Sequence, residues 1–372
     1  MQSLKWILIG LATIFALFLA KEWWQSFPRV NLAPPISIKN EQDQLDSILI
    51  QTVNEHHLAG LAVGIISNSQ VLYKNTFGYE SLEKKDSLTS QSKIHVASVS
   101  KIFLALYLSS YLQEKGLNIL DSIKNLSPEL DSNYPKLGEL SFSKILRHQS
   151  GLRDVNFFSG FFGKKNIPVL QDFVWSQLPK QINGKENLSY NYADFNYELL
   201  GYLLEKDSGL SYENLLNRWL SDDLDLQNSY FKSNYQEEDP IVLGYRKTYV
   251  WKRLKPHAFT YQVSPYPSSG MISTLDDLIK VTTQLIRADL GMLKSNVQAL
   301  EVNERESWAG FQQIAVGSES NWMGHFGGQA GYSSLVIFDP EKEFGIIILS
   351  NTRDQGNFRI DLARKIIKIL EV

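Results

Sequence analysis

The 372-residue chain contains no cysteine. That absence excludes disulfides, thiolate catalysis, cysteine-ligated zinc and a lipidated cysteine. It leaves the redox compartment open, since a large domain can fold in an oxidising space without disulfides. Excess charge is also small: 37 Lys and Arg stand against 40 Asp and Glu, a net charge of −3. The sequence pI is about 6.1. The basic footprint of a nucleic-acid binder is therefore missing, and no nucleic-acid partner is expected. There is no run of five like charges, no low-complexity tract and no repeat of solenoid length. Six histidines (His56, His57, His95, His148, His257 and His325) show no zinc-binding spacing, so no metal or other cofactor is implied. What is present is ordinary globular composition, 43% hydrophobic and 21% charged, with ample length for a large core.

One long apolar run stands apart. Lys5 is followed by WILIGLATIFALFLA, residues 6–20, with no charge until Lys21. That run makes about 22 Å of helix, short of a bilayer core of about 30 Å. Its length suits a signal-peptide core. The cleavage pattern is poor, because Phe18 and Ala20 replace small-x-small, and Trp23 and Trp24 fit the aromatic belt of an uncleaved anchor. Residues 1–24 are accordingly expected to be an anchor or signal, with the anchor favoured. Either one places the rest outside the cytoplasm, in the periplasm or at the cell surface. Residues 25–40, with three prolines between 28 and 35, read as a tether.

The pattern then gives an amphipathic helix over Glu41–His57, and strands GLAVGIIS (60–67) and QVLYKNTFGY (70–79) joined at Asn68-Ser69 as a hairpin. Helical spacing dominates the middle: Ile102–Leu112, FSKILRH (142–148), YELLGYLLEKDSG (197–209) and SYENLLNRWL (211–220). Strands return at YSSLVIFD (332–339) and FGIIILSN (344–351), and the helix FRIDLARKIIKIL closes the chain. Strands at both ends around central helices predict an α+β sandwich. One antiparallel sheet would be built from the two termini and covered by the terminal helices, with an all-helical subdomain inserted over roughly 105–300. Clefts form where such lobes meet.

Three constellations carry chemistry. Ser98 and Lys101 lie at i and i+3, on one face of a helix that begins at its N-terminus and continues as the all-round apolar Ile102, Phe103, Leu104, Ala105 and Leu106. Burial disfavours a charged lysine, and a neutral one can take a proton from serine. The spacing alone is weak, since Ser-x-x-Lys also occurs at Ser81, Ser90, Ser141 and Ser229. An N-cap serine with a lysine on a solvated edge satisfies it too. Only Ser98 opens an apolar helix. Second, Tyr192-Ala193-Asp194 precedes another apolar helix; a tyrosine beside a cation can shuttle protons, and equally can be a core residue. Third, His325 is followed by Gly327, Gly328 and Gly331 ahead of a strand. Backbone N–H groups at such glycines can serve an oxyanion, although a glycine-rich turn is often only a turn.

Taken in order, Ser98-Val99-Ser100-Lys101, Tyr192-Ala193-Asp194 and His325-Phe326-Gly327 resemble the serine β-lactamase and penicillin-binding-protein superfamily. The likeness is to its class C β-lactamase, D-Ala-D-Ala carboxypeptidase and esterase branch. LDS (120–122), LRHQSGL (146–152), SSGMISTLDDL (268–278) and ILSN (348–351) resemble its connecting segments, and the likeness runs over about 41–370. The resemblance implies the same α/β sandwich with the site between the lobes. It implies that Ser98 is acylated, that Lys101 and Tyr192 move the protons, and that the N–H groups of Ser98 and Gly328 form the oxyanion hole. A small ester, amide or peptide would be the substrate. Two departures stand out. Asp194 replaces the usual asparagine: a carboxylate only accepts hydrogen bonds and favours a charged Lys101, which would make Tyr192 the main base. His325 replaces lysine, and a partly charged imidazole holds a substrate carboxylate less firmly. Both weaken the case for efficient β-lactam hydrolysis. A non-catalytic module binding cell-wall peptide or a partner protein is the alternative of another class. NFFSGFFGKK (156–165) reads as an apolar lid or acyl pocket, or as packing within the helical lobe.

Overall fold

In the computed structural model, the described residues are 2–35, 37–154, 169–182, 189–232, 241–257, 266–287, 293–302, 307–316, 322–354 and 356–372. The Phe-rich 156–165 stretch lies outside them.

Segments rich in β-branched and aromatic residues near both chain ends form the predicted sheet. It has seven strands in the order Gln312–Ile314, Trp322–Gln329, Tyr332–Asp339, Phe344–Ser350, β1 (Gly60–Ser67), β2 (Gln70–Ser81) and β3 (Asp86–Ser87). All pairings are antiparallel. The N-terminal and C-terminal halves join where Val63 of β1 pairs with Ile348. Asn68 and Ser69 both take positive φ (50° and 58°), the geometry of a tight hairpin turn that suits asparagine.

Alternation sorts the side chains between two cores. Leu61, Val63, Ile65, Ile346 and Ile348 face the helices α2 (Glu41–His56) and Phe358–Leu370. Ala62, Ile66, Ile347 and Leu349 join the larger core of the helical lobe, reached through the helix Leu275–Ile286. That lobe contains α3 (Ser100–Glu114), Leu170–Gln181, Phe195–Ser208 and Tyr212–Arg218. Short strand pairs are interspersed with these helices, among them the hairpin Tyr245–Lys247 with Leu254–Pro256.

The sequence and the structure differ at two places. The glycine-rich stretch after His325 is itself a strand, Trp322–Gln329, with the turn displaced to Gly331 at φ +93°. Glycines weaken strand propensity, but seven residue pairs with Tyr332–Asp339 override it. The start of the expected tether is docked: Phe27 pairs with Leu254, and the Leu32 N–H donates to Asn54 Oδ1 at 2.8 Å. The apolar helix α1 runs over Gln2–Trp24, longer than the bare apolar run. Its stretch Leu4–Trp24 is long and apolar enough to cross a membrane.

Candidate active site

The nucleophile candidate sits on a tight turn. Ala97 adopts φ +49°, a left-handed conformation that costs a non-glycine residue roughly 1–2 kcal/mol. One turn of 3-10 helix, Ala97–Val99, then leads into α3. Ser98 is half-buried and reachable, while its neighbours Val96, Val99, Ser100 and Lys101 are sealed. Ser100 holds the turn in place: its hydroxyl donates to the Ala97 carbonyl (2.6 Å) and accepts the Met271 N–H (3.0 Å).

One helical turn on, Lys101 has no exposed side-chain surface. Its ammonium donates to Asp194 Oδ1 at 2.7 Å and to the Ser268 carbonyl at 2.9 Å, and it lies 5.2 Å from the centre of the Tyr192 ring. Burial works against the charge, but the Asp194 carboxylate and the Tyr192 oxygen outweigh it and hold Lys101 above the ordinary lysine range. Of the two opposing expectations, burial favouring a neutral lysine and Asp194 favouring a charged one, the contact with the carboxylate prevails. Asp194, one-third exposed to the cleft, is also raised by burial. The ammonium more than compensates and keeps its carboxyl below the ordinary range.

The Tyr192 phenol feels both Ser98 and Lys101, each of which favours its ionised form, and the Lys101 ammonium lies 5.2 Å from its ring centre, so hydroxyl, phenol and ammonium cluster together. Burial is the largest influence on the phenol and raises it, and Asp194 raises it further. The opposing pull of Lys101 is smaller, so the phenol rests protonated. His148, on the turn after Phe142–Leu146, fixes the loop that carries Tyr192. Its Nδ1 accepts the Ala193 N–H (3.2 Å) and the Asn196 amide (3.1 Å), and its carbonyl accepts the Asn191 N–H (2.8 Å). Its ring lies 4.4 Å from that of Tyr192. Burial first, then Lys101, lowers the imidazole to about 4, so it serves as a neutral acceptor.

The strand Trp322–Gln329 packs directly on the Ala97–Val99 turn. Glycine is required at 327, because a Cβ there would overlap Ser334 Oγ and the Val96 carbonyl. At Gly328 the same direction opens on free space. From behind, Arg359 donates to the carbonyls of Gly327 and Ser334 and pairs with Asp354 at 3.0 Å. His325 is buried. Its Nδ1–H donates to the Phe326 carbonyl (2.6 Å), since that oxygen can only accept. Burial and then Lys101 push the imidazole down to about 3. The partial charge expected of His325 is therefore absent, because a buried ring beside an ammonium cannot hold a proton at neutral pH.

Beside His148 and His325 lies a cavity of about 450 Å³, lined also by Arg147, Tyr190, Phe311 and Gln312. Among the described residues its lining contains no carboxylate. Deeper in the lobe, Glu198 accepts the Ser268 N–H at 3.3 Å, on the residue whose carbonyl holds Lys101. Burial pushes this carboxyl up to about 8.

All seven residues singled out from the sequence belong to described segments, and Ser98, Lys101, Tyr192 and Asp194 form one connected network. His325, Gly327 and Gly328 lie on the strand packed against it. His148 and Glu198 were missed as site residues. The HQSG context was the only signal for the first, and nothing in the sequence signalled the second.

Comparison with known proteins agrees with the geometry. The family model described as Beta-lactamase matches residues 45–371. The chain is 25% identical over 329 residues to Protein flp of Staphylococcus aureus (strain MRSA252), covering 85% of this chain and 64% of that protein, so it spans just under two thirds of that relative. It is 26% identical over 340 residues to Penicillin-binding protein 4* of Bacillus subtilis (strain 168), covering 86% and 74%. Among solved structures, the octameric penicillin-binding protein homologue from Pyrococcus abyssi superposes with a TM-score of 0.72 at 22% identity over 88% of this chain and 77% of that one. FmtA from Staphylococcus aureus superposes with a TM-score of 0.70 at 20% identity over 90% and 94%. Those two likenesses establish the fold. With the family match over most of its length, the chain belongs to the Beta-lactamase family, whose general chemistry is acyl transfer through a serine.

Proposed function

We propose that the protein is a membrane-anchored, extracytoplasmic serine hydrolase that cleaves an ester or amide through an acyl-enzyme. The observation that carries this reading is the cluster of a half-buried Ser98, the Tyr192 phenol it influences, and a sealed Lys101 ammonium 5.2 Å from the Tyr192 ring centre and 2.7 Å from Asp194. Ser98 Oγ attacks the substrate carbonyl carbon. Its proton passes to the Tyr192 oxygen as the phenol gives its own proton toward Lys101, and Lys101 shifts one to Asp194. The net transfer is from hydroxyl to carboxylate, and the ammonium is restored. The developing oxyanion is held by the N–H groups of Ser98 and Gly328, each such donor being worth about 3–4 kcal/mol of barrier. Collapse returns a proton through Tyr192 to the departing alcohol or amine. Water then enters by the same route and frees the acyl group.

The substrate class is read from Asp194 and His325. The carboxylate at 194 cannot donate to a substrate amide carbonyl, and the neutral His325 leaves Arg147, in the neighbouring cavity whose lining does not include Ser98, as the cation proposed to meet a peptide carboxylate. D-amino-acid peptides and carboxylic esters therefore rank above β-lactams. The segments that complete this reading are residues 1–24, which contain α1, as the anchor and 41–372 as the catalytic unit.

The test is covalent labelling by a fluorophosphonate and by a fluorescent penicillin. Turnover of p-nitrophenyl esters, a chromogenic cephalosporin and D-Ala-D-Ala peptides is measured alongside, each with Ser98→Ala as control. A Ser98-dependent adduct and turnover of the ester or peptide are expected. A folded protein with no Ser98-dependent adduct to either probe would instead identify a binding module.

A further inference from the structure

Beside the end of α1 the molecule carries a group of exposed aromatic side chains that the catalytic site does not use. The hairpin Tyr245–Lys247/Leu254–Pro256 holds its tip against the last turns of that helix. Trp251 Nε1–H donates to the Leu19 carbonyl (3.1 Å), and the Tyr249 N–H donates to the Glu22 carboxylate (3.2 Å). Arg253 donates to the Ser26 hydroxyl (3.0 Å) and carbonyl (2.9 Å). Trp23 meets Trp251 edge-on at 5.3 Å, and the Arg253 guanidinium lies 4.1 Å over the Trp23 ring. Despite these contacts the tip stays open to solvent: Tyr249 is 69% exposed, Val250 49% and Trp251 38%, beside Trp24 at 88%. Apolar surface of this kind is not left facing water without a reason.

Length says what covers it. The 21 residues Leu4–Trp24 make about 31 Å of helix, matching a hydrocarbon core of about 30 Å. That match sets Trp23 and Trp24 at the interfacial level where indole and phenol rings partition. The hairpin tip is fixed at the same level by the contacts above. Charge agrees. Residues 21–30 and 244–257 together carry seven Lys and Arg against Glu22 alone, on a chain of net charge −3, and Glu22 is buried against the hairpin. A basic, aromatic collar of this kind is complementary to anionic headgroups.

We propose that the tip Tyr249-Val250-Trp251 is a second membrane contact, resting in the headgroup layer of an anionic bilayer beside α1, so that the catalytic unit is seated on the membrane in one orientation. This rests on the reading of α1 as a spanning helix. The hairpin is rooted at the site: the Tyr245 N–H donates to the carbonyls of Gly331 (3.2 Å) and Asn351 (2.8 Å), and Gly331 is in the turn that follows Gly328. At about 3.3 Å per residue the tip lies within roughly 20 Å of that turn. The cleft is thus held near the bilayer surface, within reach of substrates fixed there.

The absence of cysteine makes the test clean. Full-length protein carrying Val250→Cys, Phe15→Cys or Leu120→Cys, each exposed at the native residue, is labelled with a polarity-sensitive fluorophore. It is then reconstituted into vesicles of phosphatidylglycerol and phosphatidylethanolamine. The label at 250 should lose fluorescence to lipids spin-labelled near the headgroup and be shielded from aqueous iodide. The label at 15 should respond to lipids labelled deep in the chain, and the label at 120 to iodide alone. If position 250 behaves like position 120 while position 15 is quenched at depth, the anchor stands and the seated hairpin is refuted. If position 15 also responds only to iodide, the anchor reading fails and the hairpin contact fails with it.

Discussion

Asp194→Asn is the most informative single change, because it removes one negative charge 2.7 Å from the Lys101 ammonium with little change in shape. At an effective dielectric of about 20 a unit pair at that separation is worth about 6 kcal/mol. Asp194 is one-third open to solvent, so we halve that to about 3 kcal/mol, equivalent to about two pH units on Lys101. In the proposed path the final proton acceptor is a carboxylate held below its ordinary range by Lys101, so kcat/KM should stay level from about pH 5 upward. In the variant the only remaining base is the neutral amine of Lys101, whose proton affinity has fallen but still exceeds neutrality. The rate should then rise with pH. At about pH 7 kcat/KM should lie at least about tenfold below the unaltered protein, since each unit below the amine's pKa costs tenfold, and it should recover toward alkaline pH. The assay is kcat/KM on a p-nitrophenyl ester across that range, with circular dichroism to confirm folding. Superimposable profiles would show that the carboxylate takes no part in the proton path.

Gly327→Ala forces a Cβ into Ser334 Oγ and the Val96 carbonyl, displacing the strand from the Ser98 turn. Stability should drop by about 1–3 kcal/mol in denaturant titration, and kcat should fall by about 10²–10³, as for loss of an oxyanion donor. His148→Ala removes the acceptor of two donors near Tyr192. It should cost about 1–3 kcal/mol and lower kcat with little change in KM, whereas a fall confined to stability would reduce His148 to a packing residue. Arg147→Ala should raise KM for carboxylate-bearing peptides and leave uncharged esters unaffected; equal effects on both would remove it from recognition. Glu198 titrates at about 8 when folded against 4.5 ordinarily. It binds more protons in the native state, so its stability contribution is full below about pH 4.5 and is lost as pH rises through about 8. Glu198→Gln, which keeps the neutral shape, should flatten the melting temperature across that window.

The parts of this protein that were legible beforehand are those written in local composition and spacing. The β-branched runs 60–67 and 344–351, buried on both faces, named the central pair of strands from sequence. The three ordered motifs named Ser98, Tyr192 and His325 in the same way. What sequence could not supply was the sign of the charges. Burial of Lys101 argued for a neutral amine and Asp194 for a cation, and only the 2.7 Å contact decides between them. His325 shows the converse: its residue type promises partial charge, and enclosure beside that same ammonium removes it. His148 and Glu198 were illegible for a different reason. Each acts through a hydrogen bond to a segment 45 or 70 residues away, a separation at which no pattern of spacing carries information. The docking of Trp251 onto Leu19 across 232 residues belongs to the same class. The proposed proton path and the proposed seating of the domain thus both rest on tertiary contact, and the substitutions that discriminate most are those that break a single long-range partner while leaving every motif intact.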